Sequence, residues 1–479
     1  MSSRNFVIVG AGLGGLALAL RLSHRGHRVT VLEKTGEVGG RNRREEVGAC
    51  RFDGGPTLMM MLDPFERLFA DVGERLRDHL PLTLCDPSYR VFYADGSRID
   101  GTPNVASMLA QIQDLAGPRD ASRYIPFLSS LASLYHDCIP NFVRKNYRSV
   151  WDFANPMQLA RVAKHRMLGN LAKRVEATFE DPRLRMLFSF QTMYLGLSPY
   201  DAPWVYGTLA YMEYGEGIWY PKGGLPAISE AVARLAEQRG AEIRLNTAVE
   251  GATATTVTLR GGEILKADAV ILNADLPYAQ RELEQAPSRR KLRHSCSAYV
   301  MYMDVEGDCA DLLHHNVFFG PDFKGNLDAL FKNPKLVDEP AFYACVAKRT
   351  DPSTAPEGHT NLYVLVPCPN LDYPFSAEDE DRIRTSVYRR LGEEVGFDPA
   401  WIKDIKVRTP HSWLGELNLD KGAAFGLAAD TFQSAFMRPA NKRGDMRYVG
   451  ASTVPGNGLP MVLISAELAE QRLAEDGLL

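Results

Sequence analysis

An α/β fold, α+β over the whole chain, is predicted from three neighbouring features of the N-terminus. An apolar run at Phe6–Val9 leads into a glycine cluster, a helix of small and aliphatic residues is under way by Leu16–Leu22, and a second apolar run follows at Arg28–Leu32. Two strands joined through a helix pair in parallel, because only a crossover returns the chain in the same direction. The unit is therefore Rossmann-like.

The glycines carry the next inference. Gly10, Gly12 and Gly15, with Leu13 and Gly14 between them, satisfy G-x-G-x-x-G. The first permits a tight turn, the second lets backbone approach a pyrophosphate, and the third allows close packing of helix on strand. A diphosphate then sits on the helix N-terminus, where free N–H groups and the dipole favour anions. The second strand ends in Glu33, 18 residues after Gly15 and followed by Lys34, placed to accept hydrogen bonds from a ribose diol.

Further along, helical patterns occupy much of Pro64–Leu76 and Asn104–His136. Strands are expected at Glu242–Leu245, Ala252–Leu259 and Ala269–Leu272, then at Ser297–Met303 and Asn361–Pro367. Helix returns at Asp379–Glu394 and Met461–Ala474. At 479 residues the chain exceeds what one core usually serves. The expected division is a nucleotide-binding domain assembled from residues 1–95, 217–290 and 426–479, a helical region at 96–216, and a substrate-binding domain at 291–425.

Composition bounds the function. A net charge of −4 argues against general nucleic-acid binding, whose footprint is basic. Seven scattered cysteines without a C-x-x-C give no zinc or dithiol signature, so no metal is expected, and they fit a reducing, cytoplasmic compartment. No targeting segment is read at the start. The longest uncharged run, Tyr448–Ala466, holds Pro455 and Pro460 and reads as a loop and helix start rather than a membrane span.

More specific segments follow the glycine loop. They are Val38-Gly39-Gly40-Arg41, Phe52–Thr57 (FDGGPT), Gly217–Gly224 (GIWYPKGG), Leu272–Asp275 (LNAD), Asp351–Gly358 (DPSTAPEG) and Tyr448–Leu463 (YVGASTVPGNGLPMVL). In this order the chain resembles, over nearly its whole length, the phytoene-desaturase type of carotenoid desaturase, within the amine-oxidase-like flavoproteins. The resemblance implies FAD in a domain of the two-dinucleotide-binding type, and an inserted substrate domain with a tunnel for a long polyene. It implies that Gly40, Arg41, Gly55, Pro56 and Thr57 wrap the cofactor and that Val249 contacts adenine through backbone. Asn273, Ala274, Asp275, Gly450, Ala451, Gly458, Leu459 and Pro460 would complete the flavin site. The family reaction moves a hydride to flavin N5 and a proton from the adjacent carbon, creating a C=C bond, with a quinone or dioxygen reoxidising the flavin. Relatives often carry His where this chain has Val454.

Met186–Met212 contains one charge, Asp201, and many aromatic residues. It resembles the segment that lines the family's substrate tunnel, for which Phe190, Tyr194, Trp204, Tyr206 and the nearby Trp219 are candidates. An ordinary helical core has the same composition. Asp201 and Glu213, in and beside this stretch, are the acid–base candidates, on the ground that burial raises a carboxyl pKa; a structural hydrogen-bonding role fits each better. Arg144–Arg174 holds eight basic residues against Asp152, interleaved with Trp151, Phe153, Met157 and Leu159, which suggests either a docking face for anionic lipid or a solvated basic face. The expected function is desaturation of a phytoene- or dehydrosqualene-like polyene by a peripheral membrane protein. Another flavin oxidoreductase, such as an isomerase, a saturase or an amine oxidase, is the alternative, and a non-catalytic FAD-binding protein a third.

Overall fold

The computed structural model describes residues 3–147, 152, 155–286, 292–429, 433 and 438–479. The βαβ start forms as β1 (Asn5–Val9), α1 (Leu13–His24) and β2 (Arg28–Leu32), with Phe6 opposite Val29 and Val9 opposite Leu32 in a parallel pair. Ala269–Leu272 pairs in parallel on the other side of β1, Met446–Tyr448 beyond it, and Glu242–Arg244 beside β2. An antiparallel edge, Lys442–Arg443, completes six strands. All of α1 from Leu13 to Ser23 is buried. A helix that is apolar all round requires cover on every side, and Pro226–Gln238 and the C-terminal helix Leu459–Glu475 supply it.

A second sheet has seven strands. Its order is Ile402–Arg408, Ser297–Glu306, His359–Cys368, Phe342–Val346, His315–Phe318, Tyr89–Phe92 and Arg98–Gly101. Period-two alternation gives it two working faces. Tyr299, Met301, Met303, Leu362 and Val364 pack on one side with Ile383, Val387 and Leu391 of the helix Ala377–Val395. Tyr302, Val317, Tyr343, Tyr363 and Leu365 point to the other, toward the nucleotide-binding sheet. There they meet the Gly54–Thr57 segment. The Tyr302 hydroxyl and the Arg408 guanidinium both donate to the Gly54 carbonyl (2.7 and 2.9 Å), and the Tyr363 hydroxyl donates to that of Gly55 (3.3 Å).

Two expected elements break where local chemistry competes. The single run at Ala252–Leu259 is a hairpin of Val249–Ala252 and Thr256–Leu259, closed by Thr253 and Thr256, whose hydroxyls bond each other at 2.6 Å. The helical stretch Asn104–His136 divides into Val105–Ala116 and Pro118–Cys138 at Gly117, which has φ +84° and is followed by proline. Strands Tyr89–Phe92 and Arg98–Gly101, which straddle residue 95, join the seven-stranded sheet.

Candidate functional site

Between the two sheets lies a cavity of about 1320 Å³. This exceeds the roughly 300–1,000 Å³ that holds one drug-sized ligand, so a dinucleotide leaves space beside it. Its walls pass from the glycine loop to an apolar aromatic end without interruption.

At the polar end, Gly10, Gly12, Leu13, Gly14, Glu33 and Lys34 line the cavity. Gly10 has φ +103°, and a Cβ there would stand 2.6 Å from the Asn273 carbonyl oxygen; a Cβ on Gly15 would meet the Gly10 carbonyl at 2.4 Å. Gly15 and Gly450 lie behind the lining and act by close packing, Gly450 against Gly14 and Asn273. No side chain caps α1 at Gly12 and its first turn carries no acid. The C-terminal helix likewise starts at Gly458 (φ +107°) without a side-chain cap, and Gly458, Leu459 and Pro460 line the same cavity. Two helix N-termini with unsatisfied N–H groups thus open on one space, which suits an anionic group at each. The Glu33 carboxylate is held ready by the Ala11 N–H (2.9 Å) and by the Thr35 N–H and hydroxyl (3.0 and 2.9 Å). These features fit a diphosphate and a ribose.

Arg41, Asn273, Ala274, Asp275, Ala451, Gly55, Pro56, Thr57 and Val249 also line the cavity. Asp275 accepts from the Ser452 hydroxyl (3.1 Å) and the Asp420 N–H (3.3 Å). Burial raises its carboxyl above the usual range, with the Arg41 charge opposing. The Asn273 amide donates to the Gly10 carbonyl (3.0 Å), fixing strand to loop. Gly40 lines the space beside Gly12.

Trp219, in the GIWYPKGG segment, is placed differently from expectation. Ile218–Pro221 pairs with Leu82–Cys85, and Trp219 lies under Arg77 (5.2 Å), outside the cavity wall. Tyr220 donates to Asp53 (3.0 Å), which also accepts from the Leu225 N–H (2.8 Å), and Asp351 accepts from the Gly223 N–H (2.6 Å). Three separate sequence motifs thus meet in a buried knot behind the Gly54–Thr57 turn. Burial pushes the Asp53 carboxyl up to about 7, against both hydrogen bonds.

At the apolar end, Phe190, Tyr194 and Tyr206 line the cavity. Trp204 does not; it is buried behind the wall against Phe127, with Arg174 over its ring at 4.2 Å. Asp201 is at the surface, its side chain 49% exposed and 3.9 Å from Lys332, so the burial argument for it fails. Glu213 is fully buried but outside the lining, accepting from Gln191 (2.9 Å) and Tyr89 (3.2 Å); burial raises its carboxyl to about 7. Sequence reading missed Phe319, Phe323, Leu327 and Tyr343 on this wall. For Tyr343 the signal available was the alternation of the strand Phe342–Val346.

The cavity reaches the surface beside the helix Pro156–His165, where lining residues Leu159 and Leu168 are 53% and 69% exposed. Of the eight basic residues here, Arg144 pairs with Asp63 and Glu467, Arg161 with Asp137, and Arg174 stacks on Trp204. Lys145, Lys164, Arg166 and Lys173 are exposed; Arg148, Trp151 and Phe153 lie outside the described residues. Among the described residues no helix is long and apolar enough to cross a membrane. Two described clusters, Cys85/His314/His315 and Cys50/Asp304/His359, could each share an ion, and their members are too far apart in sequence to form a spacing signature.

Residues 13–467 match the family described as flavin containing amine oxidoreductase. The chain is 41% identical to a "zeta-carotene-forming phytoene desaturase" of Myxococcus xanthus, over 98% of this chain and 94% of the relative. It is 33% identical to a "carotenoid 3,4-desaturase" of Haloarcula japonica, over 99% of both. In fold it is similar to the cyclohexylamine oxidase of Brevibacterium oxydans, with a TM-score of 0.60 at 16% identity over 99% of each chain. The cofactor is FAD, and the protein is an oxidoreductase. The chain belongs to the flavin-containing amine oxidoreductases, in their phytoene-desaturase-type branch.

Proposed function

We propose that the protein is a carotenoid desaturase that introduces C=C bonds into a long isoprenoid polyene of the phytoene or dehydrosqualene kind. The observation that carries this reading is the single cavity running from the glycine loop to an apolar wall and out at Leu159 and Leu168. A hydrocarbon binds by burying apolar surface, at about 25 cal/mol per Å², and needs a long trough rather than a polar pocket. Full-length similarity to desaturases of two organisms supports it.

Bound FAD supplies the hydride acceptor, and a quinone or dioxygen would take its electrons onward. The chain's residues hold and orient. The uncapped starts of α1 and of the C-terminal helix would hold the diphosphate and the flavin's polar edge, and Glu33 would accept from the ribose. Val249 backs the adenine, while Arg41, Asp275, Gly55, Pro56 and Thr57 enclose the ring end. Phe190, Tyr194 and Tyr206 form the tunnel wall with Phe319 and Leu327. Residues 1–95, 217–290 and 426–479 act as the cofactor domain and 291–425 as the substrate domain, with the two strands around residue 95 contributing to the latter's sheet.

The exposed mouth sits on a membrane face. Met157, Leu159 and Leu168 would enter the lipid boundary while Lys145, Lys164, Arg166 and Lys173 meet anionic headgroups. Seven buried free cysteines fit a cytoplasmic location. The test is anaerobic: polyene precursors in anionic liposomes are added to the FAD-loaded protein. Loss of oxidised-flavin absorbance with growth of a longer polyene chromophore is expected. Flavin that stays oxidised with every C30 and C40 polyene but bleaches with an amine overturns the reading.

A further inference from the structure

The desaturase reading leaves the proton without an acceptor. Tyr343 lines the cavity at the point where the Thr57 turn meets the apolar wall of Phe319 and Leu327. Its hydroxyl lies 2.9 Å from the Thr57 hydroxyl and 2.6 Å from Nδ1 of His315. Strand pairing makes this contact: Val317 stands opposite Tyr343 and His315 opposite Cys345, so His315 is the diagonal neighbour of Tyr343 on the same face.

His315 is wholly buried, and its Nε2 has no hydrogen-bond partner in the protein. The His314 ring lies 4.1 Å away, and its own Nδ1 is 2.6 Å from the hydroxyl of the half-buried Thr350. The groups that face this pair are Cys345 across the strands, Cys85 against His314, Tyr220, edge-on to His314 at 4.4 Å, and the Asp351 carboxylate, whose charge acts on His314. Burial and the neighbouring ring hold His315 neutral, leaving Nδ1 as an acceptor for the Tyr343 O–H.

We propose that Tyr343 is the residue that takes the substrate proton, handing its own to His315 behind it. The inference rests on the desaturase reading. One C–H of the polyene breaks with its electron pair transferred as hydride to the flavin. In the same step the C–H on the adjacent carbon breaks, its pair becoming the new C=C, and its proton goes to the Tyr343 oxygen as the phenolic proton moves to His315 Nδ1, so that loss of the base slows the hydride transfer as well. A proton beside an allylic cation is strongly acidic, so a weakly basic imidazole suffices. Tyr343 is the catalytic residue; His315 is a positioning residue that acts through it.

The test uses the FAD-loaded protein in anionic liposomes with a polyene precursor. Tyr343→Phe should slow anaerobic flavin reduction by about 10² or more, the usual scale of acid–base assistance, with polyene affinity and FAD retention unchanged. His315→Gln keeps an acceptor for the tyrosine but cannot hold the proton, so it should lose as much; a merely structural hydrogen bond would be rescued. Independently of turnover, ¹⁵N-histidine spectra of the wild type, assigned by their loss in His315→Gln, should show His315 as the Nε2–H tautomer. Tyr343→Phe should shift the Nδ1 resonance. Near-wild-type flavin reduction by Tyr343→Phe overturns the proposal, as does an Nδ1–H tautomer, which an ion held by Cys85, His314 and His315 would produce. If the wild-type flavin stays oxidised with every polyene, the desaturase reading falls and the relay falls with it. If the wild type reacts and both variants match it, only the relay falls.

Discussion

Replacing Glu213 by Gln should stabilise the protein, and only above a particular pH. The carboxyl is buried in a ring of Tyr89, Tyr194, Tyr214 and Gln191, and burial raises its pKa from 4.5 to about 7. At about 1.4 kcal/mol per unit, ionising it inside the fold costs roughly 3 kcal/mol relative to the unfolded chain. Below the unfolded value both states hold the proton and the cost is absent. It builds as pH rises through the interval between 4.5 and about 7, and is constant above. Glutamine keeps an oxygen for the Gln191 and Tyr89 donors and carries no charge. The variant's advantage should therefore grow across this interval and level off near 3 kcal/mol, read as the difference in thermal midpoint of the FAD-loaded proteins between about pH 5 and pH 8.5. Desaturation should stay within about threefold of wild type, since Glu213 does not line the cavity and loss of an acid–base group costs about 10²–10⁴. A pH-independent difference, or a loss on the catalytic scale, refutes the reasoning.

The glycine loop is tested by Gly15→Ala, whose Cβ meets the Gly10 carbonyl at 2.4 Å and the Asn273 amide at 2.7 Å. Forced repacking costs about 1–3 kcal/mol, and the purified protein should retain little FAD on a desalting column. Glu33→Ala leaves the Ala11 N–H without its acceptor and should weaken FAD by about tenfold or more by fluorescence titration. Phe190→Leu, at a wall where the ring packs on Tyr89 and Phe319, should change product length or polyene affinity and leave the flavin spectrum intact. Neutralising Lys145, Lys164, Arg166 and Lys173 together should release the protein from anionic vesicles, each charge contributing about 1 kcal/mol near such a surface; equal binding to neutral vesicles would contradict it.

The nucleotide end of the site was legible because its chemistry is local. A turn needing φ > 0 at Gly10, close packing at Gly15 and an acid at the end of β2 all fall within one βαβ unit, and β2 was read to the residue. Long-range motifs were legible as motifs but not as roles. FDGGPT, GIWYPKGG and DPSTAPEG were legible only as separate family segments, the first of them as a cofactor contact, yet Tyr220 bonds to Asp53 and Gly223 to Asp351. Aromatic content did not distinguish wall from backing either: Phe190 faces the cavity and Trp204 stands behind it, on two separate helices of six and four residues, too short to show an amphipathic period.

The proton path was illegible for a different reason. Neither Tyr343 nor His315 carries a motif, and their contact depends on register: a one-residue slip of Phe342–Val346 against His315–Phe318 would turn Tyr343 to the helix-covered face in place of Phe342 and Ala344. That register is pinned by Phe318 stacking on Phe342 at 4.4 Å and on Phe92 at 4.3 Å, on the helix-covered face of the sheet. The packing of the outer face thus sets which side chains the inner face presents. Perturbing that stack, for instance by Phe342→Ala, should act at a distance, releasing the Tyr343–His315 bond before it disturbs the cofactor. The His315 Nδ1 resonance moving while FAD stays bound is the expected sign; loss of FAD with the resonance unmoved would show that register is held elsewhere.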